Sequence, residues 1–159
     1  FTSGTYKIYK VYFTNFNFAS GNHHYGVRMV NTDGSVNTSS VYSYIQSEHY
    51  RNSGSNNGDK SGNWNGTYWK FGEWNVSDDT SPEHKTSLEM TMYDPMDNTA
   101  RLAMTYVSNQ WEQNATYFLS IFGAGVINNS TKQFRGINIH SGASHNFASG
   151  TYAVYGIKH

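Results

Sequence analysis

Short runs of aromatic and β-branched residues, broken by Gly, Asn, Asp and Pro, recur along the whole chain, and no segment holds a helical period. This alternation of strand-forming runs with turn formers is what most restricts the fold. The clearest instance is Thr86–Tyr93 (TSLEMTMY), where Leu88, Met90 and Met92 alternate with Glu89 and Thr91. A period of two places the apolar set on one face of a strand. Asp94-Pro95-Met96-Asp97-Asn98 then reads as a turn, with Pro at a favoured position, and residues 99–108 run back to complete a hairpin.

The other runs follow the same logic. Residues 5–14 form a first strand with Tyr6, Ile8 and Tyr12 on one face and Tyr9, Val11 and Phe13 on the other. Turns are expected at 15–17 and 20–22. Residues 24–30 present Tyr25, Val27 and Met29 on one side, and Asn31-Thr32-Asp33-Gly34 is a strong turn. A third strand at 39–46 sets Tyr42 and Tyr44 against Val41 and Ile45. Residues 48–65 show no periodicity and are dominated by Asn, Ser and Gly, so they read as a long loop. Residues 66–76 return to strand character, and 77–85, with Pro82, read as a loop. A further strand at 116–122 is expected to stop at Gly123-Ala124-Gly125, and another spans 134–140.

Ser149-Gly150 reads as a turn into a closing strand at 151–157, with Tyr152 or Val154 packing inward and truncation before Gly150 unfolding the domain. This closing stretch has echoes. Asn17-Phe18-Ala19-Ser20-Gly21 is identical to Asn146-Phe147-Ala148-Ser149-Gly150, and residues 1–9 follow the pattern of 147–155. The echo reads as a shared local solution, because the middle of the chain shows no such period. The sum is about nine short strands without a substantial helix. The expected fold is an all-β, jelly-roll-like antiparallel β-sandwich.

Composition narrows the function classes. The 159 residues fit one β-sandwich domain, expected to be part of a longer or processed chain that Phe1 does not begin. Charged residues make up 14% and formally cancel, which argues against nucleic-acid binding, since that needs a basic face. There is no Cys, so disulfides and thiolate metal sites are excluded. No apolar run approaches the roughly 18 residues of a membrane-spanning helix, so no membrane insertion is expected. Aromatics at 16%, with many turn formers, suit an extracellular or particle-borne protein.

The order of segments resembles β-sandwich domains of tailed-phage virion proteins, found in tail, fibre and capsid-decorating components. The resemblance runs from the aromatic opening strand (Tyr6 to Asn15), through Arg28 before Thr32-Asp33-Gly34 and the Tyr-rich segment at 42–44, to the strand closed by Asp94-Pro95. It continues with Gly136-Ile137 and the terminal Ser149-Gly150-Thr151 leading to Tyr155-Gly156-Ile157. It implies a non-enzymatic structural module on the virion without separating fibre from capsid decoration; fibre or tail attachment is placed ahead because Phe1 reads as the start of a distal domain. It implies a homo-oligomer, with a trimer favoured, contacts with other virion proteins, and no cofactor or catalytic residue.

Candidate chemistry centres on Trp64, Tyr68, Trp69 and Trp74, with Phe71 among them. Such rings either pack a core or subunit interface, or stack on the sugars of a host surface glycan. Seven histidines are scattered, and the adjacent His23 and His24 point to opposite sides of an extended chain, so no metal site is expected. Asp78, Asp79 and Glu83, and Asp94 with Asp97, are the acid groups from which a hydrolase would need a facing pair. They fall in expected turns, where Asp bends and caps the backbone.

Overall fold

A computed structural model describes residues 1, 5–19, 23–52, 55–76, 85–111, 118–128, 133–141 and 146–158, and only the backbone of residues 23, 52, 55–57 and 72–76. Ten strands follow in order: β1 Ile8–Phe18, β2 His23–Asn31, β3 Tyr42–Asn52, β4 Ser55–Gly66, β5 Trp69–Val76, β6 Thr86–Tyr93, β7 Ala103–Trp111, β8 Phe118–Ile127, β9 Phe134–Ser141 and β10 Phe147–Ile157. They form a seven-stranded sheet, β10-β1-β6-β7-β8-β3-β4, and a three-stranded sheet, β5-β2-β9. Among the described residues every pairing of neighbouring strands is antiparallel. The all-β antiparallel sandwich expected from the alternation is the architecture, with ten strands in place of about nine.

The core lies where the two sheets face each other. Leu88, Met90 and Met92 of β6 are buried, as their alternation requires, and so are Tyr9, Val11 and Phe13 of β1 and Tyr25, Val27 and Met29 of β2. The Tyr25 hydroxyl crosses between the sheets to Ser108. The Tyr42 hydroxyl donates to the Asn37 carbonyl at 2.8 Å and accepts from the Met29 amide at 2.9 Å. Burial pushes the Tyr42 hydroxyl up to about 12.

Two expectations about strand extent are corrected. Residues 48–52 and 55–65 are not a loop: Glu48 pairs with Asp59 and Asn52 with Ser55, extending a β3–β4 hairpin. Strand β4 is a sheet edge, where much of the chain meets water, so backbone pairing holds it without apolar alternation. Strand β8 does not stop at Gly123 or Gly125. A Cβ at Gly123 would collide with the Tyr106 ring, and one at Gly125 with Trp69 and Met104. These glycines make room for rings on the sheet, and do not end the strand.

The turns expected at 15–17 and 149–150 both lie inside strands, and against each other. Thr14 pairs with Thr151 and Asn17 with Ser149, so β1 carries one extra residue there. Asn15 takes φ +56 and Gly150 φ +149. The glycine's conformational freedom serves this bulge and not a turn.

Candidate functional site

The four aromatic candidates separate. Trp69 is fully buried, its indole N–H donating to the Ser43 carbonyl at 3.2 Å and its ring meeting Tyr42 edge-on at 5.3 Å. Phe71, on the same face, packs 4.5 Å from Tyr106. Trp69 is therefore a core residue, the packing alternative for these rings, and does not serve as a sugar platform. Trp64 is 69% exposed and, with Ile45, Lys60 and Asn63, lines a shallow depression at the β3–β4 edge. Tyr68 is half-buried on the outer side of the small sheet, 5.0 Å from His140. The side chain of Trp74 lies outside the described residues.

Among the described residues, exposed apolar side chains gather along β10. In register, Tyr152 stands opposite Phe13 and Val154 opposite Val11, so both face the side of the sheet that carries the core. Yet Tyr152 is 75% and Val154 44% exposed, which corrects the expectation that one of them packs inward. The cause is geometric. At about 4.8 Å between neighbouring strands, three strands span about 10 Å and seven about 29 Å. The small sheet is too narrow to cover the whole of the large one, and β5 packs toward β3, β4, β7 and β8, so β10 overhangs.

On the opposite side of β10, Tyr155 and Ile157 are also exposed, and the Tyr155 ring lies 5.9 Å from Tyr12. Between the overhang and the small sheet, Phe13, Phe16, Ile139 and Phe147 line an apolar groove. No residue from Phe147 to Ile157 is charged. The opposite edge, β4, exposes Asp59 and Lys60. Edge strands that resist pairing carry such charges, and β10 lacks them.

Sequence reasoning missed a buried polar network beneath β3. The Glu48 carboxylate accepts from Gln46 Nε2 at 2.8 Å and Ser61 Oγ at 2.9 Å, and the Tyr106 hydroxyl donates to Gln46 Oε1. The signal was present, since Gln46 and Glu48 continue the inward parity of Tyr42 and Tyr44, but an apolar pattern does not report polar core positions.

The acid groups separate as well. Asp94 pairs with Lys7 at 3.2 Å, whereas Asp97 accepts from the Thr99 amide and hydroxyl, which hold its carboxyl below the usual range. Asp78, Asp79 and Glu83 lie outside the described residues. Among the described residues no three His, Asp or Glu side chains converge on a metal-sized site.

No family model matches the chain, and no curated protein matches it. Among solved structures, it is similar to a protein of unknown function from Bacteroides ovatus, at 7% identity and a TM-score of 0.34 over 64% of this chain. The chain spans 45% of that protein. It is also similar to congerin II with bound lactose and MES, at 10% identity and a TM-score of 0.21, over 86% of this chain and 92% of that one. A third is a putative pore-forming toxin from Bacteroides vulgatus, at 8% identity and a TM-score of 0.12, over 86% and 61%.

Proposed function

We propose that this chain is a non-enzymatic structural module of a tailed-phage virion, most simply of its tail or fibre, that assembles with copies of itself and with neighbouring virion proteins. The observation that carries the assembly part is β10, an uncharged edge strand with Tyr152, Val154, Tyr155 and Ile157 exposed along it. An edge with free backbone groups and apolar flanks is a template for another chain. The virion placement rests on the resemblance in the order of segments, and capsid decoration is its alternative placement.

Sedimentation velocity tests the assembly. The chain should sediment as an oligomer, with three copies expected. Val154→Lys should shift it to monomer while leaving its melting transition in place, because a lysine guards an edge without entering the core. A monomeric wild type, or an oligomer indifferent to Val154→Lys, contradicts the reading.

A second reading, a carbohydrate-binding module for a host surface glycan, is favoured by the exposure of Trp64 beside Lys60 and Asn63. Glycan-array binding lost in Trp64→Ala, with assembly unchanged, would support it. An array without binding would remove it.

A further inference from the structure

We infer that the outer face of the three-stranded sheet is a binding site for a carboxylate, centred on the guanidinium of Arg28. This goes beyond the assembly reading and stands or falls separately from it. Tyr25, Val27 and Met29 point into the core, so Gly26 and Arg28 point outward. The register sets Lys70 and His140 on either side of Gly26, and Asn138 opposite Arg28.

Gly26 has no side chain, and the Tyr68 ring occupies the space that a Cβ there would need. That ring meets His140 edge-on, and the Arg28 guanidinium carbon lies 5.7 Å from its centroid. Arg28 Nε donates to the Thr67 carbonyl at 3.1 Å, and Nη1 lies 3.4 Å from His140 Nδ1. Burial, and then the charge of Arg28, hold His140 below its ordinary pKa. Its imidazole is therefore neutral at neutral pH, and Nδ1 is free to accept from the guanidinium while Nε2 carries the proton.

Among the described residues the guanidinium is thus oriented by neutral groups, the Thr67 carbonyl, His140 and the Tyr68 ring. The ion pairs among the described residues are Lys7–Asp94 and Lys10–Glu89, and neither involves Arg28. No described outward-facing side chain of β2, β5 or β9 is acidic. A planar fork held in place without a counter-charge among the described residues, beside an amide and an imidazole N–H, presents donors that match the two oxygens of a carboxylate. Pre-orientation lowers the ordering cost of binding.

The test is an NMR titration of the whole chain at neutral pH and constant ionic strength, with acetate, glucuronate and glucose as probes. Both carboxylates should shift the Arg28 Nε–H and Gly26 amide signals along saturating curves, and glucose should not. Glucuronate saturating at about tenfold lower concentration than acetate would identify a carboxylate borne on a sugar, and equal curves a free carboxylate. Arg28→Gln should abolish saturation. Arg28→Lys, which keeps the charge without the fork, should weaken it about tenfold. Arg135→Gln, a control, should leave it unchanged. A wild type whose shifts drift linearly without saturating, or an identical curve in Arg28→Gln, overturns the inference. The wild-type titration decides even if a variant fails to fold.

Discussion

Trp64 and Trp69 come from one aromatic run and end in opposite environments, one in water and one in the centre of the sandwich. Trp69→Ala should cost about 3–5 kcal/mol, the usual range for emptying a buried Trp site. Trp64→Ala should change stability by no more than about 0.5 kcal/mol. Urea denaturation of the two variants checks both. The alternation that pairs Trp69 with Phe71 on one face is legible in the sequence. Which side of the sheet that face meets is not, because it depends on Gly125, distant in the chain, leaving room for the indole. His140 adds a pH dependence. Its folded-state pKa lies below the unfolded value, so the unfolded chain binds the proton first as pH falls. Stability from this group is present above the unfolded pKa of about 6.5 and declines below it. The fall in melting temperature between pH 7.5 and 5.5, a window chosen to bracket that value of about 6.5, should therefore be smaller in His140→Gln than in the wild type. An identical fall would contradict the shift.

At the scale of elements, the repeated sequence acquires a physical meaning. The two identical pentapeptides place Phe18 and Phe147 opposite each other in the β1–β10 ladder, with rings stacked 5.1 Å apart. The echo marks two strands that pair with each other. Strand β6 was legible to the residue because one face is dry and the other wet. The β3–β4 hairpin was not, because the inward positions of β3 beyond Tyr44 are the polar Gln46 and Glu48, and β4 is an exposed edge without apolar alternation. The terminal strand was legible as a strand, but its burial was not, since overhang depends on the width of the opposite sheet. Removing side chains should separate these elements. Met90→Ala in β6 should cost about 2–5 kcal/mol. Tyr152→Ala in β10 should stay within about 0.5 kcal/mol in a dissociated monomer. A large loss at Tyr152 in thermal denaturation of the monomer would mean that β10 is packed after all.

At the scale of the molecule, a three-stranded sheet lies on a seven-stranded one. The two free edges of the large sheet are treated differently. Strand β4 carries charge and polar side chains, whereas β10 leaves apolar groups on both faces beside a bare backbone edge. This asymmetry is the basis of the assembly account. The most direct measurement is hydrogen exchange of the segment 147–157 followed as protein concentration is raised. If β10 is the edge on which copies meet, its amides should become protected as the oligomer forms, and Val154→Lys should remove that protection. Exchange in β10 that stays fast and independent of concentration, while the oligomer forms elsewhere or not at all, would contradict the account.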